Sequence, residues 1–187
     1  MFFDIGIGVF LSVIISSLLN LPLTSSYLLA GIAFSLLVDL DYIFQLFLGG
    51  SSKNAYKHRF YLHYPLPYIL VGTGVFSFFG LKLALLFALC SLFHFIHDSV
   101  GIGWGIQWFY PFTQNHYSFL YLYQPKGKTS LPKKLVYSWK HEDIKKLADQ
   151  YGDPNWLHNI YLKAHPYSII EFLVFISSLI FLYFYIK

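Results

Sequence analysis

Charge is scarce in this chain, and cysteine nearly absent. Only 12% of the 187 residues are Asp, Glu, Lys or Arg, against about 25% in an ordinary soluble domain. Hydrophobic residues make up 56% and aromatics 21%. A domain of this length cannot hide so much apolar surface from water, and a bilayer is the solvent that suits it. The same composition excludes intrinsic disorder. Cys90 is the only cysteine, so an internal disulfide and a Cys-based zinc motif are both excluded, and a lone thiol in an apolar run acts as a small hydrophobe. The net charge of +4 is small and localised, so nucleic acid is not an expected partner; lysines beside membrane helices reflect topology or anionic lipid. No GxxxxGK[ST] phosphate loop is present. The opening Met1-Phe2-Phe3-Asp4 brings an acid rather than a basic n-region, and no small-residue cleavage site follows. It reads as a retained membrane helix rather than a signal peptide.

What is abundant is apolar sequence in long runs. A spanning helix needs roughly 20 such residues, and five runs qualify or nearly so: 2–19, 27–48, 64–79, 81–100 and 168–186. The third is short, carries Pro65 and Pro67 in its first turn where proline is tolerated, and has room to start near Phe60. Between the fourth and fifth runs, Gly101 to Phe112 mixes glycines with large aromatics and reads as an irregular segment at the membrane interface, where Trp and Tyr prefer to sit. Residues 113–166 are the sizeable polar region. There Ser138 to Asp143 reads as a cap and acidic first turn before a short helix over 144–151, stopped at Gly152, and Asp153-Pro154 reads as another cap. The expected fold is an all-α polytopic membrane bundle of about five helices with a cytoplasmic helical insertion before the last. Residues 1–112 would form the membrane bundle, 113–166 the basic insertion and 167–187 the last helix, one structural domain in all.

Five crossings put the N-terminus, the 49–59 loop and the 113–166 region on one side. That side holds Lys53, Lys57, Arg59 and eight further lysines, and the other holds Lys82 and Lys187. The positive-inside rule makes the lysine-rich side cytoplasmic, which describes a multi-pass inner-membrane protein.

The unusual polar residues fall in that same half of the membrane: Asp4, Asp39, Asp41, His58, His63, His94, His97 and Asp98. An intramembrane carboxylate costs about 2.5–3.5 kcal/mol on insertion scales and persists when paired with a cation, a proton or a wet cavity. His and Asp together suit zinc, manganese or iron. His94 and Asp98 are four apart and share a helix face, with His97 beside them or at the edge. Asp39 and Asp41 stand about 200° apart on a regular helix. They bind one ion together only if the helix is distorted; otherwise two ions are present, or one binds and the other orients a histidine or Arg59. The competing reading is an ion-paired core with Arg59 as the cation. His116, His141, His158 and His165 read as surface or interface residues, His116 standing close enough to the aromatic segment to line a site. Gly101, Gly103 and Gly105 read as a tight turn.

In ordered blocks over about residues 1–120, the chain resembles the bacterial inner-membrane metal-dependent hydrolases, a family also described as LexA-binding. Asp39-Leu40-Asp41-Tyr42 is similar to its Asp-x-Asp, usually followed by His. His58 to Tyr64 is similar to His-Arg-Gly-x-Thr-His-Ser. His94 to Asp98, then Gly101, Gly105 and Pro111-Phe112, is similar to His-x-x-x-Asp with a Gly-rich turn and Pro-Phe. Asp4 and Gly8 occupy the spacing of an opening Thr-His and glycine. The chain departs at Tyr42, Phe60, Leu62, Tyr64 and Asp4.

Residues and resemblance together lead to the expectation of a membrane-embedded metal-dependent hydrolase. Asp4, Asp39, Asp41, His58, His63, His94 and Asp98 are the expected ligands of one or two divalent ions, zinc first and manganese or iron after it. Arg59 would neutralise a phosphate or carboxylate, and His97, Asp4 or whichever of Asp39 and Asp41 does not ligate (Asp41 first) would take the proton. A site at headgroup level makes membrane lipids the expected surroundings and a lipid or other phosphoester the expected substrate. The alternative is a non-enzymatic regulator or scaffold that docks a cytoplasmic protein partner on the 113–166 region. An ion or proton transporter ranks last, because the other half of the membrane offers almost no polar residue.

Overall fold

The computed structural model describes residues 1–48, 59, 62–125 and 131–187. Apolar runs become helices for a simple reason: in lipid each backbone N–H and C=O must find its partner inside the segment. Helix α1 spans Phe2–Leu18 and α2 Ser25–Leu36. Thr24 caps α2 by accepting the Tyr27 N–H at 3.2 Å, which satisfies one of the open donors of the first turn. A 3₁₀ turn, Leu37–Asp39, then leads into α3, Leu40–Phe47. Helix α4 is Pro65–Ser77, α5 Leu81–Asp98 and α7 Pro166–Ile186.

All five expected runs are therefore helical. Three stretches, Ser25–Gln45, Leu81–Asp98 and Pro166–Ile186, are long and apolar enough to cross a membrane; Phe2–Leu18 and Pro65–Ser77 are apolar but shorter. The second run differs from its expectation as a single regular helix, because the tighter turn at Leu37–Asp39 interrupts it just where the two aspartates enter.

The described residues divide into two compact units. The first comprises Met1–Val38, Ile69–His94 and Pro166–Lys187, and the second Asp39–Tyr68 and Phe95–His165. In the first, α1 packs on both α2 and α7. Small residues let the backbones approach, as they do in membrane helix pairs. A Cβ on Gly8 would stand 2.6 Å from the Gly31 carbonyl oxygen, and one on Gly6 would stand 3.0 Å from Phe175 Cα. Phe34, Phe76 and Phe87 join α2, α4 and α5 through ring centroids 4.5–5.4 Å apart.

The second unit contains what the polar region builds. Residues His116–Phe119 (β1) pair antiparallel with Val136–Trp139 (β2), with His116 opposite Trp139. Ser138 thus lies in a strand and not in the cap expected of it; a 3₁₀ turn at His141–Asp143 intervenes before α6, Ile144–Tyr151. That helix presents Ile144, Leu147, Ala148 and Tyr151, an i, i+3, i+4, i+7 stripe. The stripe packs with Trp104, Leu122, Tyr137 and Trp139 into a small core. The Gly-aromatic segment is stitched to β1 by backbone bonds, Ile106 N–H to Tyr117 O at 3.2 Å and Tyr117 N–H to Ile106 O at 2.9 Å. Gly105, at φ +74, permits this: a Cβ there would lie 2.1 Å from the Tyr117 oxygen.

Candidate metal centre

His63 lies two residues before α4 and is fully buried. Its Nδ1–H donates to Asp41 Oδ2 at 2.9 Å, and that oxygen also accepts the Leu62 N–H at 3.1 Å. The two bonds fix both the loop and the ring. With Nδ1 committed as donor, Nε2 of a neutral His63 carries a lone pair. That atom stands 2.8 Å from Asp98 Oδ2 and 4.0 Å from Asp39 Oδ1. Two acceptors so close need a proton or a metal ion between them. Ligand atoms of Asp39, His63 and Asp98 all fall within 4.8 Å of one another, so this Asp/His cluster could hold a metal ion. The donor set, two carboxylates and one imidazole, suits a divalent first-row metal. Asp41 is also buried, and its Oδ1 has no hydrogen-bond partner among the described residues.

Arg59 closes the other side of Asp98. Its Nη2 donates to Asp98 Oδ1 at 2.9 Å and its Nη1 to the Asp98 backbone oxygen at 3.0 Å. Gly103, at φ +91, makes room for it, since a Cβ there would stand 2.6 Å from Nη1. Burial opposes charge on His63, but the hydrogen bonds and charges of Asp41 and Asp98 outweigh it and hold the imidazole above its usual value.

His94 precedes Asp98 by one turn on α5. Within the first unit it is buried, and its Nδ1 is 3.1 Å from Asp4 Oδ1. His97 is half-buried and stands about 100° round the helix from Asp98. His58 lies outside the described residues. Within the second unit the structure gathers Asp39, Asp41, Arg59, His63 and Asp98, and within the first it pairs Asp4 with His94.

Three side chains escaped the reading of the sequence. Glu171 is buried on α7, and the single carboxylate of an otherwise apolar run was its available signal. Gln107 and His141 meet His116, which is buried because β1 turns it inward. His116 Nδ1–H donates to the Gly105 oxygen at 3.3 Å. Burial pushes His116 down to about 4 despite that bond, with His141 and Arg59 adding to the fall. His158 is exposed, and His165 stands edge-on to the Tyr123 ring.

Apolar helices of spanning length together with an Asp/His cluster around the buried His63 define a membrane protein with a candidate metal centre. The sequence matches the YdjM inner membrane protein family over residues 4–186, and the chain belongs to that family. This bears out the family resemblance carried by the Asp39, His58 and His94 blocks. No curated protein and no solved structure matches the chain.

Proposed function

We propose that the protein is a metal-dependent hydrolase of the inner membrane that cleaves an ester or phosphoester at the cytoplasmic interface, with lipid the favoured substrate. The observation that carries this reading is His63, held through Nδ1 by Asp41 while Nε2 faces Asp98 and Asp39. A carboxylate on the far nitrogen is the arrangement that fixes a metal-binding histidine and raises its basicity. Asp39, His63 and Asp98 would hold the ion, and Asp4 orients His94. Zinc heads the candidates, then manganese or iron. A bound divalent ion supplies Lewis-acid polarisation and a water of lowered pKa.

The chain's own residues do the rest. Arg59 keeps Asp98 aimed and has donors to spare among its five N–H groups, which suits it to a phosphate oxygen. Asp41 Oδ1 is placed to accept a proton, and His97 is the second candidate for that role. A cytoplasmic N-terminus and 113–166 region would put this group at headgroup level.

The test is turnover of a panel of phospholipids and of bis-p-nitrophenyl phosphate by detergent-purified protein, with zinc, manganese or iron(II) added after chelation. Metal-dependent hydrolysis of any member, lost in Asp98→Ala, supports the reading. No metal-dependent turnover on any headgroup class removes it.

One observation favours a second reading, a non-enzymatic regulator or scaffold that docks a cytoplasmic protein on the basic region. Arg59 and Asp98 form a largely buried ion pair, and a protonated His63 between Asp41 and Asp98 would complete an ion-paired core without metal. Loss of fold rather than of activity alone in the Asp98→Ala protein supports that alternative.

A further inference from the structure

We propose that His116 Nε2 and His141 Nδ1 form a second metal site, set beside the Gln107 amide and independent of the Asp39, His63 and Asp98 group, that takes a borderline divalent ion such as zinc or copper. These two nitrogens are 3.0 Å apart. Gln107 Nε2 is 3.1 Å from the first and 2.9 Å from the second, and it also donates to the Gln114 oxygen at 3.0 Å.

The two facing nitrogens can share either a proton or a cation. His116 spends its Nδ1–H on Gly105, so Nε2 presents one lone pair. If His141 carries its proton on Nδ1, it donates to that lone pair while Gln107 donates to the Gln114 oxygen, and a proton holds the two rings together. If His141 carries it on Nε2, two lone pairs face each other across 3.0 Å. A cation between them resolves the second arrangement.

The geometry is close to what the ion needs. Zinc–nitrogen bonds of about 2.0–2.1 Å in a tetrahedral site separate two ligand nitrogens by about 3.3–3.4 Å. The rings need to part by a few tenths of an ångström. The Nδ1–H to carbonyl bond of His116 is the usual outer support of a metal-binding imidazole. His116 is buried at 1% exposure, whereas His141 is half-buried at the start of a 3₁₀ turn, so the site has an anchored ligand and an open one. Solvent or a substrate group would complete the shell. The nearby positive charge of Arg59 is offset by its pairing with Asp98.

The site is tested by metal content and copper(II) electron paramagnetic resonance on the full detergent-purified chain. Wild type is compared with His141→Ala, His63→Ala and the double variant, each checked for fold by circular dichroism and gel filtration. The expected result is that His63→Ala retains about one equivalent of zinc that the double variant lacks, and that its copper spectrum shows two-nitrogen coupling lost on removal of His141. This outcome stands whether or not the His63 group binds metal. The proposal is overturned if His63→Ala holds no zinc or copper, or if adding His141→Ala leaves the bound metal and spectrum unchanged.

Discussion

Exchanging Asp41 for asparagine tests how the His63 group works, because it removes a charge while keeping the shape. In the native protein Asp41 Oδ2 accepts from both the Leu62 N–H and His63 Nδ1–H, at 3.1 and 2.9 Å. An asparagine oxygen can take both bonds, so the loop and ring orientation survive. What is lost is the negative charge that raises the basicity of Nε2. Loss of such an outer partner weakens metal binding about 10–100-fold, equivalent to about 1.4–2.7 kcal/mol. Asp41→Ala goes further, since it strands two buried donors, each worth about 1–3 kcal/mol of stability. Zinc affinity is read by competition with a chromophoric chelator, and stability by thermal unfolding. Asp41→Asn should bind zinc 10-fold or more weakly with near-native unfolding, and Asp41→Ala should lose on both counts. An Asp41→Asn protein within twofold of wild type in zinc affinity would refute the argument that Asp41 acts through His63.

The raised value of His63 sets a sign for pH. In chelator-treated protein the stability from charged His63 is fully present below the unfolded value of about 6.5 and is lost as pH rises through the higher folded value. Unfolding temperature should therefore fall from pH 6 to 9 in a way that His63→Gln abolishes, while zinc affinity rises over the same range because metal displaces the proton; opposite slopes would contradict the assignment. Gly8→Ala drives a methyl into the Gly31 backbone and should destabilise by about 1–3 kcal/mol, whereas Gly74→Ala meets nothing within 4 Å and should be neutral or slightly stabilising; equal unfolding temperatures for the two would refute the close approach. Gly105→Ala combines φ +74 with a clash at the Tyr117 oxygen and should loosen β1, seen as faster amide exchange at Ile106 and Tyr117.

The helices were legible because a run of apolar residues near 20 has few other fates in a bilayer. The turn at Leu37–Asp39 was not, since no glycine or proline marks it and the apolar pattern runs straight through Leu36, Leu37 and Val38. The strands were illegible for a different reason. Four residues, His-Tyr-Ser-Phe or Val-Tyr-Ser-Trp, are too few for a period of two to stand out, and 16 residues separate Phe119 from Val136. The Asp39, His63 and Asp98 group could be read because Asp39 lies inside an apolar run and His63 and Asp98 at the ends of others, where charge is conspicuous. His141 sits among lysines and acids, where another polar residue carries no signal.

The hairpin has a consequence for how this chain can vary. His116 and His141 come from positions 25 apart, and what aligns them is strand register rather than chain length. Outside Leu122 and Leu131, which pack in the small core, a change in the length of the connection between β1 and β2 leaves that register alone. A single residue added inside either strand cannot be absorbed in that way: it turns every following side chain to the opposite face, and one imidazole would look outward while the other stayed buried. Relatives that keep both histidines should therefore vary the connection outside its core contacts and hold the strands to a fixed count.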